Sequence, residues 1–299
     1  MQALQVHSLA PGYAGCALTD LPAPEAGPDK ALIRVRAAAL NFPDLLMTRG
    51  EYQLKPELPF VPGMEAAGEV ISAPAGSGFA AGDRVVAGTR LGGFAEYAAV
   101  TPNNLRALPA NIAFETAAAF GSAYLTAWVA LVELGRLKPG QWVLVHGAAG
   151  GVGLAAVDLA KALGARVIAA SASPAKLAVV AAEYTPDATI LAQGRFREEV
   201  ARITGGALAD LVYDPVGGDL FDESTRCVAF GGKLLVVGFT SARIPSISVN
   251  IPLIKGFSIV GVRAGEYSRR FPERGAAIRD ETLCLLERRA INLQRTQLP

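Results

Sequence analysis

Small residues are concentrated in one segment, Ala148-Ala149-Gly150-Gly151-Val152-Gly153, which joins an apolar run to a helix-like run. The segment follows a G-x-G-x-x-G spacing with Ala148 at the first position and Gly150 and Gly153 at the others. Glycine at the second position lets the backbone approach a pyrophosphate, and glycine at the third lets the helix lie against the strand. The helix N-terminus adds unpaired N–H groups and partial positive charge. We therefore predict a dinucleotide site that contains Ala148, Gly150, Gly151, Val152 and Gly153.

The residues about twenty positions further on indicate which dinucleotide is bound. A second strand, residues 165–170, ends at Ser171-Ala172-Ser173-Pro174-Ala175-Lys176. NAD sites usually place an Asp or Glu here to hold the ribose 2′-hydroxyl, and this segment has neither. Hydroxyl and ammonium groups would attract the 2′-phosphate of NADP, which a carboxylate would repel. The sequence predicts NADP(H), with Ser171, Ser173 and Lys176 as contacts; alternatively, Lys176 is a solvated lysine in the first turn of the next helix.

Composition excludes several classes of protein. The chain has 299 residues, 51% of them hydrophobic and 18% charged, with a formal net charge of +1. Near-neutral charge argues against capture of nucleic acid or acidic membrane, and no apolar run approaches membrane-spanning length. The N-terminus lacks signal-peptide features. Because the three cysteines are odd in number and far apart, we expect a reducing, cytoplasmic environment.

Metal chemistry is not expected from the distribution of histidine and cysteine. The two histidines are His7, in the first strand, and His146, in the strand that enters the glycine turn. A structural role suits His146 better than ligation, and no C-x-x-C spacing occurs. Carboxylates could still hold a hard cation, but none cluster in a suggestive way. We expect no metal site.

The predicted secondary structure changes along the chain, from short strands in the first third to alternating strands and helices. Short strands at 32–38, 68–71, 83–87 and 92–100, punctuated by Gly and Pro, predict a compact β-barrel domain. A helical segment runs from Phe114 through Leu131.

Six strands then alternate with helices, as a doubly wound parallel sheet requires. After the first two, the strand candidates are residues 188–191, 210–214, 233–238 and 258–262, and helices begin near Pro174, Phe196 and Leu220. Gly217 and Phe239 follow the fourth and fifth strands, at the carboxyl edge where a cofactor binds. They complete the predicted cofactor residues, although Gly217-Gly218 could equally be a plain strand-to-helix turn.

Several motifs in order along the chain resemble the medium-chain dehydrogenase/reductase superfamily. They are Asn41-Phe42-Pro43-Asp44, residues 62–70, Gly82-Asp83-Arg84-Val85, residues 92–97, residues 148–153 and Asp214-Pro215-Val216-Gly217-Gly218. Within it, the chain is most similar to the zinc-free NADPH:quinone oxidoreductases, the zeta-crystallin-like proteins. Zinc-dependent relatives carry Cys where this chain has Asn41 and His where it has Met64, and neither replacement suits zinc. Without a Lewis acid, the acceptor must already be electrophilic, such as a quinone or a conjugated enone.

The resemblance implies an α/β protein made of a GroES-like β-barrel catalytic domain and a Rossmann doubly wound domain. The expected boundaries are residues 1–121 for the catalytic domain, 122–262 for the NADP-binding domain and 263–299 for a return to the catalytic domain. Family members normally extend a few tens of residues further, so the C-terminus looks shortened.

The resemblance also implies the catalytic residues, which would line a cleft between the domains. Asn41, Asp44 and Tyr52 would face the nicotinamide ring and the acceptor, Thr126 the nicotinamide amide or ribose, and Arg263 the same cleft. Each has an alternative. Asn41 and Asp44 could cap the helix that begins near Pro43. Tyr52 could be an exposed loop aromatic, Thr126 an ordinary helix residue, and Arg263 an ion-pair partner of Glu266.

The implied reaction is metal-free hydride transfer from NADPH to a small-molecule quinone, with Tyr52, Asn41 or water donating a hydrogen bond to the acceptor oxygen. One alternative is a 2-alkenal, enone or enoyl-thioester reductase, for which Arg269, Arg270 and Arg274 could form a basic patch. Another is an NADPH-binding structural or RNA-binding crystallin-like protein. The resemblance further implies a homodimer joined through edge strands, for which residues 246–251 and 258–262 have a suitable β-branched character.

Overall fold

The computed structural model describes residues 1–287, which form two compact units. The first comprises Met1–Ser122, and the second begins at Ala123. The boundary falls within the helix that covers Gly121–Trp128.

The first unit is an antiparallel β structure. Its strands are β1 (Gln2–Val6), β2 (Cys16–Asp20), β3 (Ala31–Ala38), β4 (Glu65–Ser72), β5 (Arg84–Gly88), β6 (Tyr97–Val100) and β7 (Leu105–Ala107), and its helices are α1 (Phe42–Thr48), a 3-10 turn (Pro102–Asn104) and α2 (Phe114–Ala118). Five strands pair in the order β6-β3-β4-β5-β7, and β1 pairs with β2. Alternate residues of β3 point into a core with Val70 and Val85, as the apolar alternation predicts.

The second unit alternates helices and strands. Its elements are α3 (Gly121–Trp128), a π-helix (Val129–Leu134), β8 (Trp142–Val145), α4 (Gly151–Ala162), β9 (Arg166–Ser171), α5 (Pro174–Tyr184), β10 (Ala188–Leu191), α6 (Arg197–Ile203), β11 (Ala209–Asp214), α7 (Gly218–Ser224), β12 (Val228–Val236), α8 (Asn250–Lys255), β13 (Ser258–Gly261), α9 (Ala264–Arg270) and α10 (Pro272–Glu287). The six parallel strands lie in the order β10-β9-β8-β11-β12-β13. This order confirms the predicted doubly wound sheet, and it reverses between β8 and β11, where such sheets bind ligands.

Three local predictions were wrong. The strand expected over 92–100 is confined to Tyr97–Val100, because Gly92 has a positive φ and the N–H of Gly93 bonds to Gly63 instead. The helix expected from Phe114 through Leu131 breaks into α2, α3 and the π-helix. Residues 246–251 do not form a strand, since α8 begins at Asn250.

The described residues that follow Val262 form α9 and α10 and group with the second unit. The part of the predicted return to the catalytic domain that involves residues 288–299, and the prediction of a shortened C-terminus, lie outside the described residues. Among residues 1–287, no helix has the length and apolar character needed to cross a membrane.

Candidate functional site

The turn between β8 and α4 has the geometry of an anion site. Gly150 caps α4, and the first helical hydrogen bond runs from the N–H of Leu154 to the carbonyl of Gly150 (2.8 Å). The N–H groups of Gly151, Val152 and Gly153 therefore have no partner within the helix. A Cβ built on Gly151 meets no atom within 4 Å. The residues present thus fit a diphosphate group at this helix N-terminus.

Close packing explains the last glycine of the motif. A Cβ on Gly153 would collide with the carbonyl oxygen of Gly147 and lie 2.9 Å from Cα of Ala148. Ala148 is buried, and its N–H donates to the carbonyl of Ala170 (3.0 Å). The residue that turns the chain is Gly147, with φ of 57°. Sequence reasoning assigned the first glycine position to Ala148 and missed Gly147, although a glycine two residues after a buried strand is a recognisable turn signal.

The end of β9 carries the residues predicted to contact a 2′-phosphate. Ser173 accepts a hydrogen bond from the N–H of Lys176 (3.4 Å) and so caps α5. Ser171 Oγ accepts one from the N–H of Ser173 (3.3 Å). Each hydroxyl acts as an acceptor here and keeps its own proton to donate. Gln193, which sequence reasoning missed, donates to the carbonyl of Ala172 (3.0 Å) and adds a polar side chain at this edge.

Gly217 and Phe239, two of the predicted cofactor residues, lie together at the end of β11. Gly217 has φ of 70°, and a Cβ there would lie 2.9 Å from Cδ1 of Phe239. Asp214 Oδ1 accepts from the N–H groups of Val216 (2.8 Å) and Gly217 (2.9 Å), which holds the turn. Its other oxygen is buried without a hydrogen-bond partner, and burial raises the pKa of this carboxyl group.

Asp44 is buried in the first unit and binds its backbone, and its predicted role as a contact of the acceptor stays a prediction. It is fully buried; Oδ2 accepts from the N–H of Asn41 (2.9 Å) and Oδ1 from the N–H of Gly63 (3.1 Å). Burial raises the pKa of Asp44, against the hydrogen bonds from the backbone of Asn41, Gly63 and Met64. These bonds anchor the start of α1, which is the contact that the capping alternative predicts.

Asn41 lies next to a buried carboxylate that sequence reasoning missed. Its Nδ2 donates to Glu65 Oε1 (2.8 Å), and the N–H of Ser122 donates to Glu65 Oε2 (2.7 Å). Glu65 is 4% exposed, and burial raises its pKa to about 7; the bonds from Asn41 and Ser122 lower it and the charge of Asp44 raises it. The available signal was a charged residue at the start of the apolar strand β4.

The remaining predicted catalytic residues have varied surroundings. Tyr52 is half-buried against Met47 and Phe60, so it is not an exposed loop aromatic. Thr126 is half-buried on α3, and Arg263 is exposed directly before α9. Their roles toward a cofactor or an acceptor stay predictions.

The arginines near α9 have acidic partners, which weakens the case for a basic patch. Arg269 and Arg270 both pair with Glu266, and the charge of Arg263 also acts on Glu266 and helps to lower the pKa of that carboxyl group. Arg274 pairs with Glu133 and Glu281 at 2.6 Å each.

His146 has the structural role that was predicted. It is fully buried, Nε2 lies 2.7 Å from Ser224 Oγ, and burial lowers its pKa to about 4.

Comparisons with known proteins agree with this architecture. Residues 27–110 match the model of the alcohol dehydrogenase GroES-like domain, and residues 151–279 match that of the zinc-binding dehydrogenase family. The first match confirms the GroES-like character of the antiparallel unit.

Individual proteins are similar over most of the chain. The quinone oxidoreductase-like protein 2 homolog of Nematostella vectensis is 40% identical over 262 residues, 86% of this chain and 71% of that protein. The crystal structure of Escherichia coli quinone oxidoreductase complexed with NADPH is 28% identical with a TM-score of 0.89, covering 99% of this chain and 91% of that one. One phenolphthiocerol/phthiocerol polyketide synthase of Mycobacterium tuberculosis is 37% identical over 229 residues, 70% of this chain and 10% of that protein.

Proposed function

Since the chain belongs to the quinone oxidoreductase branch of the medium-chain dehydrogenase/reductase superfamily, we propose that it is an oxidoreductase that reduces a quinone with NADPH and without a metal. The observation that carries this proposal is the turn at Gly150–Gly153, together with the hydroxyl and ammonium groups after β9. When bound, NADPH supplies a hydride from C4 of its nicotinamide ring.

Different residues of the chain bind different parts of NADPH. The N–H groups of Gly151, Val152 and Gly153 bind the diphosphate, because they lack helical partners at the positive end of α4. Ser171, Ser173 and Lys176 bind the 2′-phosphate by charge-assisted hydrogen bonds. Gly217 and Phe239, at the end of the neighbouring strands, complete the cofactor site.

Acceptor chemistry is assigned to a second group of residues. Negative charge builds on the acceptor oxygen during reduction, and an N–H or O–H donor stabilises it. Asn41 and Tyr52 are the candidate donors, and Asp44 holds Asn41 in place through its backbone N–H. Thr126 and Arg263 orient the nicotinamide and line the site.

Two side chains support a reaction without zinc. The amide nitrogen of Asn41 is engaged with Glu65, and an amide is a poor zinc ligand. Met64 packs with the apolar cluster around Met47 and Phe60. A quinone needs no Lewis acid, because it is already electrophilic.

The similarity to the polyketide synthase favours one second candidate, an enoyl-thioester or enone reductase. The acidic partners of Arg269, Arg270 and Arg274 argue against a basic surface for coenzyme A. Parallel assays of NADPH oxidation with a benzoquinone, a 2-alkenal and crotonyl-CoA separate the candidates. We expect the highest kcat/KM with the quinone; a higher value with crotonyl-CoA contradicts the proposal.

The homodimer is also part of the proposal. β13 pairs with β12 and lies at one edge of the six-stranded sheet. Large apolar side chains are exposed on β12, on β13 and in the segment at α8 that precedes β13: Phe230, Ile259, Val249, Leu253 and Ile254. An unpaired strand edge next to an apolar surface suits pairing with a second copy.

A further inference from the structure

We propose that Glu65 is a positioning residue whose protonation decides which atom of the Asn41 amide is presented to the acceptor. The inference deepens the proposed function and rests on it, because it takes Asn41 to be the group beside the acceptor oxygen.

The contacts of Glu65 leave its carboxylate little freedom. One oxygen is 2.8 Å from Nδ2 of Asn41, and the other is 2.7 Å from the backbone nitrogen of Ser122. A Cβ on Gly121 would lie 2.8 Å from Oε2, so a larger residue there would displace the carboxylate. Glu65 thus joins the residue before α1 to the first turn of α3, and because it is buried, its carboxyl group depends on these hydrogen bonds.

Hydrogen-bonding chemistry connects the proton on Glu65 with the direction of the amide. An ionised carboxylate can only accept, so Asn41 turns its NH₂ group toward Glu65 and its Oδ1 toward other partners, among them the backbone N–H of Asp44 in the capping box. A protonated carboxyl needs an acceptor for its new O–H, while the backbone N–H and the hydroxyl of Ser122 still donate to this carboxyl group. Rotation of the Asn41 amide by half a turn supplies that acceptor and leaves the NH₂ group free to donate elsewhere.

The two orientations have opposite effects on the reaction. A free N–H stabilises the negative charge that develops on the acceptor oxygen, whereas a carbonyl oxygen in the same place repels it. The form with protonated Glu65 is therefore the faster one. When the NH₂ group of Asn41 faces Glu65, Nδ2 is also 3.5 Å from the carbonyl of Ala39, and this weak contact favours that orientation while Glu65 is ionised.

The charges around Glu65 allow this change at ordinary pH. Burial raises its pKa to about 7, and Asp44 on α1 is the charged neighbour that adds to the rise. Among the charged side chains of the elements that pack on β4, Arg36 of β3 pairs with Glu69, and Arg84 of β5 donates to the carbonyls of Pro109 and Ile112. Arg34 of β3 is exposed beside Tyr97, and Glu115 of α2 is exposed.

The test uses Glu65→Gln, because a glutamine can occupy one arrangement permanently. Its amide oxygen can accept from Ser122 while its NH₂ group donates to Asn41 Oδ1, which copies protonated Glu65. Glu69→Gln is the matched control, since Glu69 lies on the same strand but is a partly exposed partner of Arg36.

The first measurement is NMR of the Asn41 side-chain amide in the full chain without cofactor. We expect its ¹⁵N shift to titrate in the wild type and in Glu69→Gln, and to stay constant in Glu65→Gln.

The second measurement is the single-turnover rate of NADPH oxidation by a benzoquinone. One pH unit above a pKa near 7 about a tenth of Glu65 is protonated, so the wild-type rate falls roughly tenfold from pH 6 to pH 8, and Glu65→Gln removes the fall.

The outcomes separate this inference from the proposed function. An Asn41 amide that does not titrate overturns the inference, whatever the activity. A titrating amide with the same pH profile in the wild type and in Glu65→Gln also overturns it. A titrating amide in a chain that turns over no quinone contradicts the proposed function and the role of the amide in it, but retains the coupling of the two side chains.

If Glu65→Gln does not fold, Asn41→Ala replaces it. Loss of the Asn41 donor must then raise the pKa of Glu65, which carboxyl ¹³C shifts measure. An unchanged pKa of Glu65 overturns the coupling.

Discussion

Gly153 is the residue at which the glycine turn tolerates least change. We predict that Gly153→Ala lowers the free energy of unfolding by about 1–3 kcal/mol, because the new methyl group collides with the backbone of Gly147 and Ala148. Gly151→Ala is the control, since its Cβ meets no atom within 4 Å and we expect a change below about 1 kcal/mol. Urea unfolding without cofactor measures both, and equal effects would show that the close approach is not the reason for Gly153.

Sequence reasoning found Gly153 and Gly150 because their roles depend on a local spacing. It missed Glu65 for the opposite reason: burial of a carboxylate depends on which elements fold over it, and the strand pattern gives no sign of Ser122 nearby. Asp44 shows the same limit. Its position near Asn41 allowed both a catalytic role and a capping role, and only the fold shows how close Asp44 comes to the backbone of Asn41 and Gly63.

Buried His146 makes stability depend on pH. Its pKa is lowered to about 4, so the folded state disfavours the charged form and loses stability as the pH falls from 6.5 toward 4. Between pH 7.5 and pH 5 this group should cost about 2 kcal/mol, which His146→Gln removes. The raised pKa of Glu65 has the opposite effect on stability over the same pH range. The quantity to measure is therefore the difference in unfolding free energy between the wild type and His146→Gln at each pH. Parallel pH profiles of their unfolding free energies would show that His146 does not carry this dependence.

At the scale of elements, α1 depends on the carboxylate of Asp44. We predict that Asp44→Ala lowers the free energy of unfolding by about 2–4 kcal/mol, because the N–H groups of Asn41 and Gly63 lose their acceptor in a buried place. Asp83→Ala is a matched control: Asp83 also accepts from a backbone N–H, that of Ala80 at 2.8 Å, but in an exposed turn. Thermal unfolding compares the two, and an equal loss would contradict the account of α1.

Strand prediction worked best where periodicity and turn residues agreed, as in β8, β9 and β10. It failed for residues 246–251, where β-branched residues suggested a strand but the chain instead enters α8. The helix that begins at Phe114 was predicted as continuous because apolar residues follow one another without a break signal. The break falls at Ala119 and Phe120, between the end of α2 at Ala118 and the start of α3 at Gly121.

At the scale of the whole molecule, the apolar surface beside β13 predicts a dimer that one charge can disrupt. We expect Leu253→Asp, at a residue 80% exposed, to convert a dimer into a monomer in analytical ultracentrifugation. Leu18→Asp is the control, because Leu18 is 75% exposed but lies on β2, far along the chain from this surface. A wild-type monomer, or dissociation by both substitutions, would contradict the proposed interface.

The most direct test of the account is calorimetric titration of the wild type, Gly150→Asp and Lys176→Ala with NADPH and with NADH. We predict that the wild type binds NADPH at least about tenfold more tightly than NADH, since charge-assisted hydrogen bonds to the 2′-phosphate contribute about 1.5–3 kcal/mol. Lys176→Ala should weaken NADPH binding and leave NADH binding unchanged, and Gly150→Asp should abolish both. Equal affinities for the two dinucleotides in the wild type, or undiminished NADPH binding by Gly150→Asp, would contradict the claim that this turn binds NADPH.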